Sequence, residues 1–248
     1  MADVGYIAIV VAGFGAYWWR HLRQQPRTAA SELFEPDAEV ALHVAVHEAT
    51  QRQQALSSLH VLYGLLQDEA VTAAIATAGG QADAVEDSVL AALARAPGDD
   101  DHGGQLAGRA AAMARHSGRR ASCTDLWAAL GGSPAAQLLR DGQIDRGATL
   151  FALFHGGRAP DIALPDARDV LIVLRNDHFT TQEFVTAMLR DVFALPDSQA
   201  TAIMLATHQA GRSVVGRFTA AEARAKIAEV RARARAQAFP LWIGVEPA

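Results

Sequence analysis

"DVLIVLRNDHFTTQEF", Asp169 to Phe184, decides how the second half of this chain is read. Behind Asp169 the run to Leu174 is short, apolar and rich in β-branched residues, the pattern of a buried strand. It runs straight into Asn176, Asp177 and His178. Thr180-Thr181-Gln182-Glu183 then has capping-box form: the Thr180 hydroxyl accepts from the Glu183 amide and Glu183 reaches back. Phe184, Val185, Met188, Leu189 and Val192 follow at helical spacing. The three polar residues are therefore expected in a turn just ahead of a helix N-terminus. Conformation alone accounts for them, since Asn and Asp favour turns and a carboxylate suits the helix dipole. The same turn also gathers hydrogen-bond acceptors in one place.

Working outward, Ala200, Ile203, Met204 and Thr207 mark a second helix. "RSVVGRFT" from Arg212 reads as a strand, Ala220 to Arg235 as a third helix and "LWIGVE" from Leu241 as a last strand. The order β-α-α-β-α-β predicts a compact unit over residues 167–248 and an α+β chain. Residues 156–166 read as a linker from their glycines and prolines. Residues 33–155 are helical in pattern and repeat: Ser57 aligns with Ser122, His60 with Asp125, Val61 with Leu126 and Leu65 with Leu130. Each half has a Ser-x-x-polar helix start, then a helix stopped by Gly79 or Gly142, then a fourth helix, Ala82 to Leu93 or Asp145 to Phe154. "ARAPGDDDHGG", Ala94 to Gly104, joins the halves.

Composition removes several function classes. The 248 residues carry a formal net charge of −5, which gives no basic face for nucleic acid. Cys123 is the only cysteine, so neither an intrachain disulfide nor a thiolate cluster is available. No phosphate loop, Ser/His/Asp order or His-Glu-x-x-His occurs, and Asn176 with His208 offers too few ligands for zinc. The chain is expected to be neither an enzyme nor dependent on a metal or cofactor. Lys226 is the only lysine.

Between Asp3 and Arg20 the sequence is uncharged, and Tyr17, Trp18 and Trp19 precede a basic flank of Arg20, Arg23 and Arg27. As a helix this run covers roughly 24 Å, against about 30 Å of hydrocarbon, a gap that snorkelling by Arg20 could narrow. Residues 1–27 are therefore expected to be a single-pass anchor in the inner membrane, with the rest of the chain on the cytoplasmic side by the positive-inside rule.

"SSLHVLYGLL", Ser57 to Leu66, resembles the helix start of the N-terminal domain of Clp unfoldases such as ClpA and ClpC, a domain of two tandem four-helix repeats. His60 falls on that family's histidine. The region 167–248 resembles ClpS, the adaptor that delivers proteins with destabilising N-terminal residues to a Clp protease. "VLIVLRNDHFTTQEFV", "QATAIMLATHQAGRSVVGRFT" and "FPLWIGVEPA" match three separate signatures in order and spacing.

The chemistry of gripping a free α-amino group asks for convergent acceptors shielded from water, beside an apolar pocket for the first side chain. Asn176 offers a carbonyl oxygen, Asp177 a carboxylate and neutral His208 a ring nitrogen. Met204 lies one turn before His208 on nearly the same face. The resemblance implies that Thr180, Val185 and Leu241 complete the wall. Two positions depart from the family: its second aspartate is His178 and its gatekeeping methionine is Gln182. A polar amide at the gate predicts altered discrimination among Leu, Phe, Tyr, Trp, Ile and Val. If His208 must be neutral to accept, affinity is expected to fall as the imidazole protonates. Lys226 falls on the family's unfoldase-docking lysine; its docking glutamate falls on Ala221, with Glu222 one step along.

These residues imply an adaptor that presents bulky hydrophobic N-termini to a Clp-family AAA+ unfoldase. The alternative is a non-degradative scaffold or decoy that keeps the folds without binding N-termini. In the ClpS family the adaptor docks on this kind of N-terminal domain, so the resemblance implies that the two domains, joined in one chain, meet at an effective concentration near the millimolar range and hide the unfoldase-facing surface.

Overall fold

The computed structural model of the protein describes residues 32–95, 102–160 and 169–248. Its first part is all helical: α1 (Pro36–Gln51), α2 (Ser58–Leu65), α3 (Glu69–Thr77), α4 (Ala82–Leu93), α5 (His102–His116), α6 (Cys123–Ala129), α7 (Pro134–Asp141) and α8 (Arg146–His155). The second part runs β1 (Asp169–Arg175), α9 (Gln182–Phe193), α10 (Asp197–Ala210), β2 (Arg212–Thr219), α11 (Ala220–Ala236), β3 (Trp242–Pro247). The α+β class, the helical repeat and the β-α-α-β-α-β order all follow the sequence reading.

The repeat is visible in matching chemistry. The Ser57 amide donates to His60 Nδ1 at 3.1 Å, and the Ser122 amide donates to Asp125 Oδ2 at 2.9 Å. Both helix starts are thus closed by the side chain three residues on. Buried His60 and buried Asp125 sit at the same point of the two halves. Asp125 also takes a bidentate ion pair from Arg119, at 2.6 and 2.7 Å. Helices α1 and α2 approach closely at Gly64, where a Cβ would lie 2.1 Å from the Ala41 carbonyl oxygen. One helix stop differs from expectation. Gly79 is left-handed, with φ +92, whereas the left-handed residue after α7 is Gln143 rather than Gly142.

In the second part the sheet order is β2-β1-β3, antiparallel throughout. Val170, Ile172 and Leu174 of central β1 join Val185, Met188, Leu189, Met204, Ile227 and Leu241 in one buried cluster under the three helices. The β1–β2 register shifts between Ile172 and Val173, and Val215 has no partner there.

The helical part touches the second part through α8. A Cβ on Gly147 would lie 2.5 Å from the Arg235 carbonyl oxygen, so the two backbones meet almost directly. His155 Nε2 donates to the Pro240 carbonyl at 2.7 Å. The Phe154 ring stands edge-on to Phe179 at 5.5 Å and to His178 at 6.1 Å. Arg119 lies over the Phe179 ring at 5.7 Å.

One expectation needs correcting, the inner-membrane location. Among the described residues no helix is long and apolar enough to cross a bilayer. Residues 1–27, on which that reading rested, lie outside the described residues, and their uncharged run falls short of the hydrocarbon thickness even as a helix. Docking of the two domains that hides the unfoldase-facing surface is not supported. Lys226 Nζ donates to the Val192 carbonyl at 2.6 Å and lies over Phe193 and Phe218, while Glu222 caps Thr219. Both residues make these contacts inside the second part.

Candidate functional site

The turn after β1 is built by Asp177. Its Oδ1 accepts from the Phe179 amide at 2.8 Å and the Thr180 amide at 2.6 Å, and its Oδ2 from the Thr180 hydroxyl at 2.7 Å. This takes the Thr180 hydroxyl away from the helix, so the N-cap moves one residue. Thr181 Oγ1 accepts from the Phe184 amide at 3.2 Å, and the expected Thr180–Glu183 box does not form. Asp177 is buried, and its carboxylate primarily organises the turn. A carboxylate has about four acceptor sites, so Oδ2 retains capacity for a further donor.

The Asn176 amide donates to the Gly211 carbonyl at 2.9 Å, which pins the turn to the end of α10. His208 stands exposed in the last turn of α10, and Met204, one turn earlier, is buried. Thr207, between them, is buried and hydrogen-bonded to Ser213 Oγ and the Ile203 carbonyl, which fixes the rotation of this helix end.

A cavity of about 340 Å³ opens at this seam, at the small end of ligand pockets. Asn176, Asp177, His178, Thr180, Gln182, Val185, Met204, His208 and Leu241 all line it. Val185, Met204 and Leu241 are buried and make an apolar wall; Asn176 and Asp177 lie at one side, and His208 and Gln182 on exposed positions. Lys226 and Glu222 are not among its walls. Sequence reasoning missed Phe179 and Thr207, also in the wall, and the two helical-domain residues His116 and Ser117. Nothing local in sequence points to the last pair.

Another group of ligating atoms, on Asp37, Asp68 and Cys123, lies in the helical part. Burial first, and then both aspartates, push the Cys123 thiol up, so it is held protonated. A neutral thiol is a poor metal ligand. Asp68 also caps α3 through the Val71 amide.

The described residues thus form a helical repeat followed by a small α+β unit, a three-stranded sheet under three helices with a half-apolar, half-acceptor cavity at one end. Residues 166–244 match the ATP-dependent Clp protease adaptor protein ClpS, and residues 33–121 match the Clp repeat (R) N-terminal domain. The ClpS adapter of Oleidesulfovibrio alaskensis is 43% identical over 83 residues, 34% of this chain and 80% of that protein. That of Nitratidesulfovibrio vulgaris is 41% identical over 95 residues, 37% of this chain and 95% of that protein. A solved structure of Agrobacterium tumefaciens ClpS2 bound to L-phenylalaninamide is 30% identical, with a TM-score of 0.32, and covers 33% of this chain and 98% of that one. The chain belongs to the ClpS adaptor family, with a Clp repeat domain fused ahead of the adaptor domain. A role as a Clp adaptor follows from that membership.

Proposed function

We propose that the C-terminal domain, residues 167–248, captures the free N-termini of proteins with bulky hydrophobic first residues and delivers them to a Clp-type AAA+ unfoldase. One observation carries this reading: a single cavity joins acceptors on Asn176, Asp177 and His208 to an apolar wall of Val185, Met204 and Leu241. An ammonium is a compact cation with donors in three directions, and acceptors partly withdrawn from water hold it best. The adjoining wall takes the first side chain. Gln182 stands exposed at the start of α9, a polar gate over an apolar hole, so discrimination between Leu and the β-branched Ile is weak. Docking to the unfoldase uses the start of α11, with Lys226 and Glu222.

The test is binding of fluorescent Leu-, Phe- and Met-initiated peptides to the full chain, each with a free and an acetylated N-terminus. Free Leu and Phe peptides bind, Met peptides bind less well, and acetylation abolishes capture. Equal binding of blocked and free peptides sinks the reading. A second reading, a scaffold or decoy, is favoured by the engagement of Asp177 in its own turn and by His178 in place of a carboxylate. Absence of all peptide binding alongside intact binding to an unfoldase supports it instead.

A further inference from the structure

The cavity is not made by the adaptor domain alone. His116, the last residue of α5, and Ser117 after it lie in its wall together with the turn that carries Asn176 and Asp177. His116 is exposed and Ser117 half-buried, so both present polar groups where the cavity meets solvent. Around them the helical domain holds the same turn firmly. Phe154 packs edge-on against His178 and Phe179, and Arg119, locked onto buried Asp125, covers the other ring contact at Phe179. His178, one of the two positions that depart from the family, is thus a residue in contact with the fused domain.

We propose that His116 and Ser117 form an outer subsite that reads the second and third residues of the captured polypeptide. The inference rests on the capture reading above. An extended chain advances about 3.3 Å per residue. A polypeptide whose amine is held by the acceptors of the adaptor domain therefore brings its next peptide groups to the mouth of the cavity, where His116 and Ser117 stand. The His116 ring and the Ser117 hydroxyl offer donors and acceptors to that backbone, and their bulk limits the side chains it can carry. The fused helical domain thereby adds contacts of its own beyond the first residue.

The experiment compares two ligands on the full chain: leucine amide, which fills only the inner part, and a free Leu-initiated pentapeptide. His116→Ala removes one outer contact and Ser117→Trp adds bulk at the solvent-facing rim, leaving the inner part open. Both substitutions are at positions at least partly open to solvent, and leucine-amide affinity doubles as the control for an intact pocket. A single lost hydrogen bond corresponds to a roughly three- to tenfold weaker pentapeptide for His116→Ala, with a larger loss for Ser117→Trp. Leucine-amide binding stays unchanged in both. Pentapeptide affinity equal to that of the unsubstituted chain in both variants overturns the subsite. Equal losses for both ligands also overturn it, because they mean that only the inner pocket was disturbed. Failure of the unsubstituted chain to bind leucine amide and the pentapeptide overturns the capture reading itself and takes the subsite with it.

Discussion

Replacing Asp177 separates its two roles, because Asn and Ala remove different things. In Asp177→Asn the side-chain oxygen remains to accept from the Phe179 and Thr180 amides, bonds now 2.8 and 2.6 Å long. The Thr180 hydroxyl, which donates to Oδ2 at 2.7 Å, turns to accept from the new amide group. What is lost is the difference between charged and neutral acceptors, about 1–2 kcal/mol in all. Asp177→Ala strips all three donors of their partner. Each stranded buried donor costs about 1–3 kcal/mol, and the half-buried setting of Phe179 and Thr180 favours the lower end, for a total of about 2–4 kcal/mol. Urea denaturation followed by far-UV circular dichroism gives the ranking, and hydrogen exchange at the Phe179 and Thr180 amides gives the local effect. In parallel, peptide affinity in Asp177→Asn falls by up to about tenfold, the 1.4 kcal/mol expected from weakening one charge-assisted contact to the ammonium. Asn and Ala variants of equal stability would refute the account of the turn. A loss well beyond a hundredfold in the Asn variant, with stability kept, would show that Asp177 serves the ligand first.

Gly64→Ala forces a methyl against the Ala41 carbonyl, 2.1 Å away; overpacking of about 1–3 kcal/mol exceeds the helix-propensity gain of about 1 kcal/mol, so the unfolding midpoint of the helical domain drops. Gly147→Leu cannot keep α8 against the Arg235 backbone, so amide exchange in residues 238–241 and in α8 rises while both cores stay folded; unchanged exchange contradicts the packing described. Burial lowers the His155 pKa, outweighing the Pro240 hydrogen bond and the charge of Asp177, and burial lowers that of His60 as well. Both are neutral when folded, and the unfolded chain binds the extra protons. Stability is therefore full above about pH 6.5, falls as the pH drops below that value and levels off once it passes the lowered folded pKa values. Melting temperatures from pH 8 to 5 check the slope, and His155→Gln removes its share.

Most of the fold was legible because its determinants are local. The strand Asp169–Arg175 is an apolar run, and Ser57/His60, Ser122/Asp125 and Thr219/Glu222 form capping boxes at the spacing the sequence offers. The Thr180–Glu183 box failed for a local reason too: the Thr180 amide, which the box would give to the Glu183 carboxylate, donates instead to Asp177, and the Thr180 hydroxyl donates to the same carboxylate. The cavity residues of the adaptor domain were legible only through the resemblance, since Met204, Val185 and Leu241 read equally well as core. His116, Ser117 and Phe154 were not legible at all. Phe154 packs on His178 and Phe179, and His116 and Ser117 share a cavity wall with residues 176–179; these meetings join segments far apart in sequence, and no periodicity or cap records them.

In the function proposed above, the two ends of α11 have separate roles. Gly147 of the helical domain meets the backbone at Arg235, near the C-terminal end, and the cavity reaches Leu241 just beyond. Lys226 lies nine positions earlier, roughly 14 Å away along a helix rising about 1.5 Å per residue. The fused domain therefore grips the pocket end of α11 and leaves its contacts short of the lysine. Lys226 itself is held by the Val192 carbonyl and by the faces of Phe193 and Phe218, which orient the ammonium at the end of α9. An ammonium has three donors, and this arrangement leaves capacity for an acidic partner. Fusion on this side adds a wall to the pocket and leaves Lys226 outside it, so under the function proposed above cargo and motor are held at once. Lys226→Met then weakens unfoldase binding while leaving pentapeptide affinity within about twofold, well under the tenfold that 1.4 kcal/mol represents. A matching fall in both affinities would mean that the two ends are not independent.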